Sequence, residues 1–547
     1  MKRNLAVGVL LLVIAASWAT AYMRTGFVVR NHNDTISYRF SADGPFSATL
    51  TLKNFRPPVY PLMMRAARPL DASYSWIPVI QYGLFSAAVL GLFFALLAVG
   101  FKPWEALVMA GPVPHAAILA QFGTMLLGEV ASVAFAIFAI AATTLIAAKG
   151  PSTRRNLALA FSVALAVLTR PSFLFLVVMC PLAIAVATPC FRLSARRDLL
   201  RELVPNVAAA MLPLLMYALL RLAVVGHFGI AGFGGITLAG FGTNPEMLTA
   251  ATIPRLRSDD AKLLARDILA KRKEVALSGS GVIAARPWVY DEKAVKDSPQ
   301  FTAWISSYDP AVWNVAVPAV FARHKVTDAE SMLDGFADAN SRLSKLSRST
   351  LLQQPGLYVL WIVIATGTAW RDVFHGESAG RWAVGIAFCL MVLMVMRNAV
   401  VATIRGDGTI SRPGRYAITA FVAALAVAML LNFENIANAT PVVSGLIRGP
   451  VLGSIFPLSM MLWAFLICAA RLGTVMRGRS VSSPTPTGID PTAGYASILL
   501  LQFALGAFLV VLVEQPMTRY LIALSPLMPG AILLLSVRVL LHLARLR

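Results

Sequence analysis

The sequence predicts an all-α polytopic membrane protein, and three observations predict it. Of 547 residues, 58% are hydrophobic and only 14% charged, with a mean hydropathy of +0.71; soluble domains carry about a quarter charged residues. Apolar runs of about 18 or more residues, the length a helix needs to cross a bilayer, recur along almost the whole chain. The net charge of +22 is concentrated in short loops: Arg154-Arg155, Arg192 to Arg201, Arg412 and Arg415, Arg471 to Arg479, and Arg538 to Arg547. Topology is the ordinary cause of such clustering, and anionic lipid is its ordinary neighbour. The charge therefore does not argue for a nucleic-acid partner.

In order, membrane segments are expected near 4–22, 76–100, 104–124, 128–148, 156–169, 172–190, 203–225, 353–370, 381–402, 414–433, 451–471, 494–514 and 520–542. That is about 12–13 spans at roughly 20 residues each. The fifth is short. With its neighbour it reads as two helices broken at Arg170-Pro171, because proline disfavours helix at the preceding residue. Lys2 and Arg3 place the N-terminus in the cytoplasm. Counting forward puts residues 23–75 and 227–352 outside; counting back from the basic C-terminus puts Arg519 and Tyr520 outside as well. The two counts collide at 353–402. The domain division follows: an N-terminal transmembrane module over 1–226, an outer loop domain over 227–352, and a C-terminal transmembrane module over 353–547.

Within the outer domain, the glycine-rich opening from His227 to Gly235 suits a bend or an amphipathic segment on the membrane surface. Residues 257–278 carry dense charge at helical spacing and read as a solvated helix, and 326–348 as a second helix. Trp288, Tyr290, Trp304, Tyr308 and Trp313 either form the core of this domain or offer faces for sugar rings. The stretch 480–492 has the composition of a flexible loop. The cysteines Cys180, Cys190, Cys389 and Cys468 sit in or beside apolar segments with no metal-ligand spacing and no disulfide framework. The six histidines do not cluster.

The chemistry-bearing residues lie at the membrane face. Asp34, with Tyr38 four residues on, precedes Arg56-Pro57-Pro58-Val59-Tyr60-Pro61, a stiff segment able to hold Arg56 and Tyr60 beside the first loop. Asp34 is a candidate general base, with a surface aspartate making an Asx turn as the alternative; nearby arginines would suit a departing anionic group. Asp43 is the only other carboxylate between residues 23 and 70, and nothing in the sequence pairs the two. Glu129 heads an apolar run, where an acid marks function by default; it could bind metal, orient an acceptor or pair with an arginine such as Arg170. A cation at the Thr169-Arg170-Pro171 break suits phosphate, because guanidinium offers bidentate donors. Thr518-Arg519-Tyr520 supplies a second candidate cation before the final apolar run.

The order of these motifs resembles the GT-C class of integral-membrane glycosyltransferases, whose first outer loop reads "Asp-Ser-x-x-Tyr … Arg-Pro-Pro-x-Tyr-Pro". Similar too are the acid at the start of the fourth helix (Glu129), the "Leu-Thr-Arg-Pro" at the broken pair (Leu168 to Pro171), and the C-terminal "Arg-Tyr" (Arg519-Tyr520). The resemblance covers roughly 100 residues, spread in the family's order. It implies a polyprenyl-phosphate sugar donor, a lipid, glycan or protein acceptor, membrane-lipid contacts, and an inverting hexosyl or pentosyl transfer at the outer face of the inner membrane. Asp34 would be catalytic. Arg56, Tyr60, Arg170, Arg519 and Tyr520 would hold the donor phosphate, with Tyr38 and Glu129 in support. The family's adjacent acidic pair is Asn33-Asp34 here, which puts metal dependence in doubt: no cofactor is established by the sequence, and a divalent metal ion stays open. Ala19-Thr20-Ala21 could be a signal-peptidase site, but an uncleaved anchor is expected, since the resemblance needs the Asp34 loop tethered to its helix. The competing functions are a transporter or flippase of lipid-linked sugars, with Arg397-Asn398 as its midplane candidate, and a polysaccharide polymerase or ligase.

Overall fold

The computed structural model describes residues 2–277, 308–376, 456–477, 489–513 and 526–545, apart from 45, 193–195, 246, 325, 326 and 328. The described residues are helical, with no strand beyond a single bridge between Arg30 and Met125. Arg519, Tyr520, Cys389, Arg397, Asn398, Trp288, Tyr290 and Trp304 lie outside them.

Among the described residues, six helices are long and apolar enough to cross a membrane: α1 (Arg3–Thr25), α5 (Ile77–Ala98), α8 (Glu129–Lys149), Pro171–Phe191, α11 within Arg196–Val225, and α17 within Ile489–Val513. Shorter apolar helices include Met461–Met476 and Met528–Arg538. α8 is the centre of the bundle. Its apolar window is 83% buried against 22% for α1 and for α11, and it packs on α5, on α9 (Thr153–Thr169) and on α10 (Leu176–Phe191). The sequence explains why it ends where it does. Glu129 sits in its first turn and Lys149 in its last, each complementing the helix dipole. Gly150 then takes a left-handed φ of 77°, and the Ser152 hydroxyl accepts from the Arg155 amide to start α9.

The third expected span, 104–124, is not one helix. It divides into α6 (Pro103–Ala110), a 3-10 turn at Val113–His115, and α7 (Ala117–Phe122). Pro112 and Pro114 bring no amide donors and clash with a continuing helix. The Pro114 carbonyl accepts from the Ser17 hydroxyl of α1. The break at Arg170-Pro171 is present as expected: α9 stops at Thr169, Arg170 is extended at φ −145°, and a 3-10 turn over Pro171–Phe175 leads into α10.

One end of the bundle gathers the loops. The segment 27–76 folds into α2 (Thr35–Asp43), α3 (Ala48–Lys53) and α4 (Val59–Ala67). It meets the residues before α8 through Arg30 N to Thr124 O at 2.9 Å and Leu126 N to Arg30 O at 3.2 Å. At the C-terminal end of α11, buried Arg221 donates to the carbonyls of Leu52 and Gly229, both at 2.8 Å. The opposite end carries Lys149, Arg155, Arg192 and Arg538, whose guanidinium meets Glu105 at 2.7 Å.

The region after α11 forms a helical unit on the loop end: α12 (Gly234–Gly242), α13 (Asp259–Leu277) and α14 (Ala329–Gln353). The glycine-rich opening bends as expected over 226–233, with Gly226 and Gly229 at left-handed φ of 73° and 136°, and its last two residues, Gly234 and Gly235, begin α12, which is pressed against α14. A Cβ on Gly235 would stand 1.9 Å from the Asn340 carbonyl, and one on Gly242 2.4 Å from the Ser347 Cα. Only residues without side chains permit that approach. The helix expected to be solvated, α13, buries Leu264, Ala265, Ile268 and Arg272. Tyr308 is core, edge-on to Phe241 at 5.2 Å. α15 (Pro355–Gly376) follows, with the Tyr358 hydroxyl donating to Leu512 O at the end of α17 at 2.6 Å. α16 (Phe456–Met476), α17 and α18 (Met528–Arg545) then pack on α10 and α6. The Cys190 and Cys468 thiols meet at 2.7 Å between α10 and α16.

Candidate functional site

α2 is amphipathic at its own scale. Thr35, Tyr38 and Ala42 form its buried face, and Asp34 stands at its N-cap. The Thr35 hydroxyl accepts from the His32 amide at 2.8 Å and donates to the Leu126 carbonyl at 3.2 Å, which fixes the start of the helix against the approach to α8. Asn54 Oδ1 receives the Arg56 amide at 2.8 Å. Pro58, already in the helical region at φ −78° and ψ −24°, then leads into α4.

This geometry delivers Arg56 to Asp34. Arg56 Nη2 donates to Asp34 Oδ1 at 2.8 Å, and Arg56 Nε to the Ser37 hydroxyl at 2.9 Å. The Asp34 side chain is 22% exposed and Arg56 16%, so the pair is reachable yet mostly shielded. His32 Nδ1 accepts from the Asp34 amide at 3.2 Å and stands 3.9 Å from its carboxylate. The guanidinium is sandwiched by aromatic faces, with its carbon 5.0 Å from the Tyr38 ring centre and 5.6 Å from that of Phe233. Cation–π contact of this kind fixes a guanidinium plane without consuming its donors.

Tyr60 does not join a substrate surface. It is fully buried with its ring edge-on to Tyr38 at 5.0 Å; its role is to back Tyr38. Burial pushes both phenols up, Tyr60 well above the ordinary tyrosine range, so both stay neutral.

Glu129 and Arg170 are brought together as a buried ion pair. Gly128 makes this possible: a Cβ there would lie 3.1 Å from Thr169 Cγ2 and 3.5 Å from Arg170 Cγ. Glu129 is 1% exposed and spent on the arginine. No three His, Cys, Asp or Glu side chains converge among the described residues. Among the described residues there is thus no ready-made cage of three or more such ligands for a divalent metal.

Tyr38, Arg56, Arg170 and Ser172 form the polar end of a cavity of about 550 Å³. Its walls are apolar: Val177 of α10, Met211 and Leu215 of α11, Leu509 of α17, and Phe228 and Ile230 of the loop after α11. Two guanidiniums and a phenol at the head of a hydrocarbon-lined slot suit an amphiphile with an anionic head. No family model, no curated protein and no solved structure matches this chain.

The sequence named Asp34, Tyr38, Arg56, Glu129 and Arg170, and the fold brings all five to one place. It did not name Ser37, Phe55 or Phe233. Ser37 was findable, three residues from Asp34 and thus on the same helical face. Phe233 comes from 177 residues beyond Arg56 and had no local signal.

Proposed function

We propose that this protein is an inverting membrane glycosyltransferase that moves a sugar from a polyprenyl-phosphate donor to a hydroxyl acceptor, at the outer face of the membrane. The observation that carries the reading is Arg56, which lines the apolar cavity together with Arg170 while binding Asp34 at 2.8 Å. A donor phosphate seated between Arg56 and Arg170 competes with Asp34 for the Arg56 guanidinium. That competition frees the carboxylate as the donor arrives. Asp34 then takes the acceptor hydroxyl proton, the acceptor oxygen bonds to the anomeric carbon, and the bond from that carbon to the phosphate oxygen breaks. Polyprenyl phosphate leaves, its charge held by the two arginines.

A retaining double displacement needs a second carboxylate about 5 Å from the first. Asp43 is nine residues further along α2, which at 1.5 Å per residue is roughly 13 Å away. Single displacement with inversion is the route this spacing supports. Both arginines and Asp34 belong to the loop end, and Lys149, Arg155, Arg192 and Arg538 to the opposite end, so the positive-inside bias supports a cytoplasmic N-terminus.

The test is release of polyprenyl phosphate from a panel of short-chain polyprenyl-phosphate sugars by detergent-purified protein. Release by wild type and its loss in Asp34→Asn supports the reading. Release by both removes Asp34 as the base. No release from any donor in the presence of mixed glycan and lipid acceptors favours a flippase or polymerase instead.

A further inference from the structure

The two arginines at the head of the apolar cavity are each answered by an acid. Arg56 is paired with Asp34 at 2.8 Å, and Arg170 with Glu129. The two pairs offer an anion donors, but between them they carry no net charge.

A net charge lies one layer of residues further out. Arg221 of α11 is 2% exposed, and a guanidinium keeps its proton inside a protein. Its Nε donates to the Leu52 carbonyl and its Nη1 to the Gly229 carbonyl, and among the described residues it meets no carboxylate. A buried cation held only by neutral carbonyls is an expensive arrangement. The fold sets this one against the cavity wall. Ala218, three residues earlier on the same face of α11, lines the cavity, and so does Gly229, whose carbonyl Arg221 holds. Its Nη2 stands 3.7 Å from where a Cβ on Gly232 would be, and Gly232 lies between the lining residues Ala231 and Phe233. Across a wall one residue thick, at about 8 Å and an effective dielectric near about 20, a unit charge changes the affinity of an anion by on the order of ten-fold or more.

We infer that Arg221 supplies the uncompensated positive charge by which the apolar cavity selects a lipid phosphate over the uncharged lipid alcohol of the same chain. Arg56 and Arg170 donate to the phosphate. Arg221 acts on it through the field across the wall formed by Ala218 and Gly229. This rests on the reading above only as far as an anionic lipid head in the slot; it involves no sugar and no transfer.

The test is direct binding of farnesyl phosphate and of farnesol to the full-length protein in uncharged detergent, by calorimetric titration. Wild type is expected to bind the phosphate at least about ten-fold more tightly than the alcohol. Arg221→Gln should cut that preference by about ten-fold and leave farnesol binding unchanged. Tyr217→Glu puts a carboxylate one helical turn before Arg221, at a position that does not line the cavity. It should cancel the charge with the guanidinium still present, and it covers the case in which Arg221→Gln does not fold. Arg221→Lys keeps the charge and should keep the preference. A wild type without preference overturns the inference, as does a preference unchanged in both Arg221→Gln and Tyr217→Glu. Loss of farnesol binding along with the phosphate, or a lysine variant as poor as the glutamine one, marks Arg221 as a strut between Leu52 and Gly229 and nothing more. Inorganic phosphate that displaces farnesyl phosphate at equal concentration overturns the lipid as the source of the anion. Because nothing is transferred, failure here is separate from failure of polyprenyl phosphate release.

Discussion

Glu129→Gln separates a positioning carboxylate from a decorative one. Glu129 is 1% exposed and the Arg170 side chain 9%, and the two are ion-paired where α8 begins and α9 ends. Glutamine keeps the shape, so little cavity is made and the loss is charge. Removing one partner of a buried pair typically costs about 3–5 kcal/mol, because the other charge stays buried. Arg170 also lines the apolar cavity, where water can reach part of the guanidinium, so the expected cost lies at the low end, about 3 kcal/mol. At about 1.4 kcal/mol per decade that is roughly a hundred-fold in the unfolding equilibrium. Reversible unfolding in mixed detergent micelles measures it. The double variant Glu129→Leu with Arg170→Met replaces both charges by apolar groups and should regain most of the loss. A single variant within about 0.5 kcal/mol of wild type, or a double variant no better than the single, refutes the argument that the pair is buried and coupled.

Three further outcomes are expected. Mild oxidation with copper phenanthroline should join Cys190 to Cys468, whose sulfurs are 2.7 Å apart; fragments cleaved between them should stay linked until reduced, and Cys468→Ser should abolish the link. Gly235→Ala sets a Cβ 1.9 Å from the Asn340 carbonyl and should destabilise the α12–α14 packing by about 1–3 kcal/mol, read as faster proteolysis of 234–353 with the bundle intact. Tyr74 is pushed up to about 12 by burial and then by Asp43. Its contribution to stability is full below the ordinary phenol value of about 10 and is lost as pH rises through about 12; Asp43→Asn should bring its ultraviolet titration down towards the ordinary value.

The parts of the fold that the sequence made legible are those written in local chemistry. Length and hydropathy mark α1, α5, α8, α10, α11 and α17, and Pro171 marks the break after Arg170. The candidate site was legible in its cast but not in its arrangement. Asp34 and Arg56 are only 22 residues apart, and the stiffness of Pro57-Pro58 hinted at their meeting. Tyr60 misled because a tyrosine beside an arginine reads the same whether its ring faces a cavity or the core. Gly235 and Gly242 of α12 carry no local signal of their role: the space left by their missing side chains is taken by α14, about 100 residues later.

The broken passage from α6 to α7 has a further consequence. Inside hydrocarbon, a carbonyl deprived of its helical partner finds no water to replace it. Here Pro112 and Pro114 interrupt the ladder, and the Ser17 hydroxyl of α1 answers the Pro114 carbonyl, while α1 itself covers the turn. The first helix thus acts as the local solvent for another helix's backbone. Ala19-Thr20-Ala21 begins two residues after Ser17, so a cut there would part that hydroxyl from the Asp34 loop and leave the turn bare to lipid. Excising α1 would therefore be expected to melt the passage beneath the site, although α1 contributes no side chain to the apolar cavity.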